Sequence, residues 1–389
     1  MRWLMLGILF TARLAMGFQF QSIASVSAHL IETFGFSYAQ IGTLIGLFLL
    51  PGIFLAIPSG LLTRAVSDKS LLMVGAAVMA AGAAIMATAE APEYLYGGRL
   101  LSGVGGVIFN LILTKMVTEW FFGKEIMTGL AILLAAWPIG IALGLLTQSQ
   151  LAQSSGWVDV MVACSVAALI ALTLIAGVYR APPSGAGTAA PVVSRYLLPV
   201  RQAVHIGVLG FAWTTFNSCW ILLPSFAPDA LVAQGWALTT AQSAASLMMW
   251  VSLLALPLGG RLMDKFGYVT ASTSALFIIA GLSIFLLYFG FAPAAMFVLF
   301  GLASGIPGGA VLSLTSQAVT AENRGLGLGI FWTLHYTGMA ITPAGAGWLR
   351  DVAGNPGAPL LLVSALMVLS VLAILLFRLL QSHWPIAKG

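Results

Sequence analysis

Long apolar runs separated by short polar breaks recur along the whole chain. Runs near the roughly 20 residues needed to cross a bilayer fall at about 3–28, 40–62, 71–89, 94–117, 127–147 and 156–178. Six more follow at about 202–224, 240–262, 269–289, 293–318, 325–349 and 358–380. The pattern predicts twelve transmembrane helices, because a spanning barrel would show short alternating segments instead of continuous runs. Arg13 interrupts the first run and a second span follows soon after, so the first is expected to stay as a helix and not to be cleaved as a signal peptide.

Composition excludes the soluble classes. Of 389 residues, 60% are hydrophobic and 7% charged, against roughly 25% charged in a soluble domain, whose surface must face water. Cys164 and Cys219 both lie in apolar spans with no clustered ligands, so neither a metal site nor a disulfide framework is indicated. The net charge of +5 forms no continuous basic patch of the kind nucleic-acid binding needs. The basic residues sort by side instead. With a cytoplasmic N-terminus, Arg2, Arg64, Lys69, Lys115, Lys124, Arg180, Arg195, Arg201, Arg261, Lys265, Arg324, Arg378 and Lys388 all fall inside, and only Arg350 outside. That asymmetry predicts a multi-pass protein of the inner membrane with both termini cytoplasmic. The longest polar interval carries Pro182, Pro183, Gly185, Gly187 and Pro191, and reads as a cytoplasmic linker at 181–201 between six-helix bundles at 1–180 and 202–389.

The two bundles echo each other. Ser102-Gly103-Val104 and Val117-Thr118 around span four recur as Ser304-Gly305-Ile306 and Val319-Thr320 around span ten, at a constant offset of 202. Pro58-Ser59-Gly60 at the end of span two is matched by Pro257-Leu258-Gly259 at the end of span eight. Duplicated halves are a recurring plan of secondary transporters, with the substrate between them near the midplane.

Gly260-Arg261-Leu262-Met263-Asp264-Lys265-Phe266-Gly267, between spans eight and nine, resembles the loop motif of the major facilitator superfamily. The copy in the first half departs from it: Arg64 stands where Asp is expected, and Asp68 comes four positions late. Arg99-Leu100-Leu101-Ser102-Gly103-Val104-Gly105, opening span four, is similar to another pattern of that family, and the resemblance covers nearly the whole chain. It implies an all-α integral membrane protein, with twelve transmembrane helices in two pseudo-symmetric bundles, which carries a small molecule by alternating access. Trp120-Phe121-Phe122 resembles the branch holding nitrate, monocarboxylate and cyanate porters, and Arg13 resembles an arginine of cyanate permease-like members, with Leu14 where they commonly have Pro. The paired arginines of nitrate porters on spans two and eight are missing. The resemblance also gives Asp264 and Lys265 a conformational role, and gives Arg99 a conformational or proton-handling role as readily as substrate contact. An ion pair of Arg99 with Glu90 or Glu93 is the plain alternative.

Arg13 lies ten residues into its helix, about 15 Å along the axis and close to the middle of a roughly 30 Å core, where insertion costs about 2.5–3.5 kcal/mol or more. It either packs against backbone carbonyls or faces a wet passage. Every acidic residue maps to one membrane face or the other, so no fixed carboxylate is expected beside it. A guanidinium fork without a partner is shaped for a planar oxyanion. Gln21, nearer Arg13's face than Gln19, joins the candidates. In the fold the chain resembles, spans one, four, seven and ten surround the passage, which brings in Asn110 and Asn217, with interhelical hydrogen bonding as their alternative.

His335 and Tyr336 sit mid-span, and His335 is a candidate both for binding and for proton coupling, or else a packing residue. Of Trp137, Trp213, Trp220, Trp250 and Trp332, which could form an aromatic cage, Trp213 is the candidate, one turn before Asn217. Pro138, Pro307 and Pro343 are expected to interrupt spans five, ten and eleven as bending points.

No phosphate-cradling Gly-Lys-Ser/Thr string occurs, and no paired carboxylates, histidine cluster or nucleophile elbow mark an enzyme. The expectation is a monomeric secondary transporter for a small anion, with no cofactor and with a proton or a counter-anion as co-transported partner. Proton-coupled efflux of hydrophobic compounds is the runner-up, and a sensor or scaffold on the transporter fold is the alternative of another class.

Overall fold

The computed structural model describes residues 1–55, 66–121, 125–181, 198–266 and 268–386, except for the side chains of Met127, Gly260, Arg261, Asp264, Phe266 and Ala321. Within those residues the fold is all-helical. The first six spans are α1 (Arg2–Ser25), α3 (Tyr38–Leu47) running through a turn into α4 (Pro51–Leu55), α5 (Asp68–Ala87), α6 (Pro92–Trp120), α7 (Ile126–Ser155) and α8 (Trp157–Gly177), with a short α2 (Ser27–Phe34) after α1. The second six are α9 (Val200–Ala233), α10 (Leu238–Phe266), α11 (Val269–Tyr288), α12 (Pro293–Gly305) continuing as α13 (Ala310–Leu314), α14 (Arg324–Ala353) and α15 (Ala358–His383). Arg2 marks one end of the bundle and Tyr38 the other.

Eleven of these segments are long and apolar enough to cross a membrane. The twelfth is α14, which has the length, 30 residues, but carries Thr333, His335, Tyr336, Thr337 and Thr342 through its middle. A span this polar is best accommodated where it faces neighbouring helices or water instead of lipid.

Helix packing repeats with a shift of six spans. In the first half α1 packs on α7 and α8, and α5 packs on α6 and α8. In the second half α9 packs on α14 and α15, and α11 packs on α12 and α15. The contacts between halves obey the same relation: α3 against α14, and α10 against α7. Small residues allow the close crossings, as where a Cβ on Gly98 would meet the Gly82 carbonyl and one on Gly105 the Gly75 carbonyl, joining α5 to α6.

Local signals set the ends. Gly35, with φ of 67°, closes α2, and a capping box between Ser37 and Gln40 starts α3. At the Arg2 end the Lys69 ammonium donates to the carbonyls of Ala176 and Tyr179, closing the C-terminus of α8. Beside it, burial pushes the Tyr179 phenol up to about 12, although it accepts a hydrogen bond from Trp120 Nε1.

One span differs from expectation for a definite reason. Span seven does not stop at Pro224: α9 stays helical through Pro224 and Pro228 for 34 residues. Pro228 has no N–H to offer the Pro224 carbonyl, and Gln21 Nε2 of the other half donates to that carbonyl at 3.3 Å. A tertiary bond replaces the missing helical one.

Candidate functional site

Two arginines enter the interior of the first half, and their surroundings differ. Arg99, on α6, is fully buried, and each of its three guanidinium nitrogens is bonded. Its Nε donates to the Leu44 carbonyl at 3.0 Å, Nη1 to Gln19 at 3.0 Å and Nη2 to Phe20 at 2.7 Å, with the guanidinium 4.7 Å from the Phe48 ring centroid. It pairs with neither Glu90 nor Glu93; it ties α6 to the backbones of α1 and α3. Arg13, on α1, is 7% exposed, and neither Nε nor Nη1 has a hydrogen-bond partner among the described residues. The ion pairs among those residues are Arg2 with Glu125, Lys115 with Asp68 and Glu119, and Arg350 with Asp229, so no carboxylate accompanies Arg13.

Tyr336 of α14 stands near Arg13. The Tyr336 hydroxyl accepts from Asn110 Nδ2 at 2.9 Å, a bond that crosses from α6 to the second half. Asn110 and Tyr336 therefore join the two halves near Arg13. From Tyr336 a chain of rings runs into the second half: His335 at 5.5 Å, then Trp213 of α9 at 6.2 Å, with Trp332 5.3 Å from His335. Trp213 Nε1 and His335 Nδ1 are buried without partners, as is Thr333 Oγ1, which the sequence reading passed over. A threonine in an apolar run carries no signal of its own; that its hydroxyl is buried without a partner shows only in three dimensions.

The other candidates fall elsewhere. Asn217 Nδ2 donates to the Trp213 carbonyl one turn back, at 2.8 Å. Gln21 faces the Tyr38 end, on Pro224, and lines a cavity of about 40 Å³ with Ser25, Ser149, Ser225 and Gln242. Gln19 is buried on the Met79 carbonyl and Ser102. The helices run unbroken through Pro138 and Pro343, whereas at Pro307 the span does break, α12 ending at Gly305 and α13 starting at Ala310. Lys265 is exposed in the last turn of α10; the side chain of Asp264 lies outside what the structure describes, as do the linker at 182–197, Arg64 and Phe122.

A seam at the Tyr38 end, not foreseen from sequence, joins the halves. Asp351, at the end of α14, accepts from the amides of Tyr38 at 3.0 Å and Ala39 at 2.8 Å. Ser37 takes the Gln40 amide with its hydroxyl, and Gln40 Oε1 takes the Ser37 amide in return, so the four free donors that open α3 are all satisfied. Arg350 pairs with Asp229 at 2.7 Å and lies 3.4 Å from the Tyr38 ring centroid. Below this, α3 and α14 touch backbone to backbone: a Cβ on Gly42 would collide with the Pro343 carbonyl, one on Gly46 with the Ala340 carbonyl, and one on Gly347 with the Tyr38 carbonyl. On the other seam Gln242 of α10 donates to Ser149 of α7. At the Arg2 end no hydrogen bond or ion pair joins the halves among the described residues.

The family model for the Major Facilitator Superfamily matches the chain in two stretches, 9–218 and 208–386, which together run nearly its whole length. No curated protein matches it. Among solved structures it is similar to the inward open conformation of the xylose transporter XylE from E. coli, with a TM-score of 0.79 at 15% identity over 97% of this chain and 96% of that one. That likeness concerns the fold.

Proposed function

The chain belongs to the Major Facilitator Superfamily, and as such is a multi-pass secondary transporter that works by alternating access; we propose that its substrate is a small anion held at Arg13. The observation that carries this reading is the state of that guanidinium. It is buried at mid-span, two of its nitrogens lack partners, and no carboxylate stands near it. Leaving a dehydrated cation unpaired costs several kcal/mol, so a protein that keeps one has a use for a mobile counter-charge. Asn110 and Tyr336, bonded to each other, bring a polar group from each half to its neighbourhood.

The seam supports an assignment of state. The halves are bonded at the Tyr38 end, and the excess of Lys and Arg at the other end argues that the Arg2 end is cytoplasmic. On that reading the structure is closed to the outside and approached from the cytoplasm, in an inner membrane.

Uptake of a labelled small anion into vesicles holding the purified protein tests the proposal. Arg13→Lys, which keeps charge but loses the planar fork, is expected to weaken uptake, and Arg13→Ala to abolish it. Normal uptake by the alanine variant would remove the basis for an anionic substrate.

A further inference from the structure

We infer that the small cavity between the halves at the Tyr38 end is a binding site for a monovalent cation of the alkali class, held by side-chain oxygens of both halves. Gln21 and Ser25 of α1 and Ser149 of α7 line it from the first half, and Ser225 and Asp229 of α9 and Gln242 of α10 from the second. Arg13, Asn110 and Tyr336 are not in this lining, so the inference stands apart from the anion reading.

The hydrogen bonds around the cavity sort its atoms by sign. The Gln21 amide donates to the Pro224 carbonyl at 3.3 Å, and the Gln242 amide to Ser149 Oγ. The Ser149 hydroxyl in turn donates to the Ser25 carbonyl at 3.0 Å, and that of Ser225 to the Ile221 carbonyl at 2.7 Å. Donors are thus spent on protein, and oxygens remain. Gln21 Oε1 and Ser25 Oγ are buried without a partner, Gln21 being 1% exposed, and Ser225 Oγ, having given its hydrogen away, offers lone pairs alone. The ionisable lining is one carboxylate, Asp229, and one imidazole, His29; among the described residues no lysine or arginine lines the cavity. Arg350 bonds Asp229 from outside it, at 2.7 Å.

A buried acceptor left unmet costs stability, so this lining selects an occupant that presents positive charge to several oxygens at once. Water would meet them with its hydrogens but find few donors for its own lone pairs; a cation has none to satisfy. The cavity, of about 40 Å³, has room for an ion with one or two waters, since a water needs about 10–15 Å³. Mostly neutral oxygens around a single carboxylate suit a hard ion of single charge, whereas calcium sites draw on more ligand charge. Because both halves supply oxygens, the ion is held only while they are together at this end, and holding it favours that closed arrangement.

Equilibrium binding of radioactive sodium to the purified full-length protein, with thermal unfolding in sodium chloride against choline chloride at equal chloride, tests this. Sodium is expected to bind saturably and to raise the melting temperature where choline does not. Ser25→Ala removes a hydroxyl that has no partner, so its melting temperature in choline should match the wild type and show the variant folded, while its sodium affinity falls about tenfold, the worth of one ligand. Ser25→Asp, which adds a carboxylate, is expected to bind sodium more tightly than the wild type. A sodium effect no larger than that of choline would leave the cavity to water alone and overturn the inference, as would saturable binding that neither Ser25 variant changes.

Discussion

Arg99 and Arg13 stand in the same half of the molecule, carry the same charge and are both removed from water, yet one spends its hydrogen bonds on the backbone and the other keeps two nitrogens free. Arg99 is surrounded by carbonyls of α1 and α3 and by the rings of Phe20 and Phe48, so its charge is met by fixed dipoles and aromatic faces. Arg13 has Tyr336 nearby and, among the described residues, no carboxylate. The contrast shows that depth alone does not mark a binding residue; the state of its hydrogen-bond capacity does. A buried cation with every nitrogen bonded to backbone is part of the frame, and one with unbonded nitrogens is, on the proposal above, part of the passage.

The largest effect expected is one of opposite signs. Arg99→Met removes three charge-assisted bonds that hold three helices together, and should lower stability by about 2–4 kcal/mol after the relief of desolvation is counted. Arg13→Met removes a cation with nothing to meet it, and should leave the melting temperature unchanged or raise it while transport is lost. Thermal unfolding of the purified variants, followed by tryptophan fluorescence, reads both. Equal destabilisation by the two would erase the distinction between frame and passage.

Next in size is the seam. Gly46→Leu places a side chain where the Ala340 carbonyl sits, and overpacking of this kind costs roughly 1–3 kcal/mol, enough to reduce the population closed at the Tyr38 end about five- to a hundredfold. Labelling of a Ser225→Cys thiol, placed in the small cavity at that end, should accelerate accordingly. Gly7→Leu, in open space, is the silent control.

The smallest effect belongs to Asp351→Asn. It keeps the size of the group that caps α3 but loses its charge at a helix N-terminus, a matter of about 0.3–1 kcal/mol and so up to about fivefold in the same labelling rate. No change in that rate would mean that the carboxylate merely rests on the helix end.

The membrane spans were legible because each is a long run of one kind of residue, and α14 was legible from its length and its place in the repeat even though its polar centre weakens the pattern. Arg13 could be picked out because depth follows from counting residues and the absence of acids at that depth follows from where they fall along the chain. What escaped reading was everything made of backbone. The partners of Arg99 are three carbonyls, which every residue possesses, so no residue type announces them. The contacts of Gly42 and Gly46 are likewise with main chain, and among so many glycines nothing in the sequence singles them out. The passage of α9 through two prolines was unreadable because the bond that rescues it comes from Gln21, some two hundred residues away.

That rescue has a further consequence for motion. When the halves part at the Tyr38 end, the carbonyl freed by Pro228 loses the amide of Gln21, and only water can take its place. Opening on that side is thus tied to hydration of that carbonyl, and solutes that lower the activity of water should slow it without touching the protein.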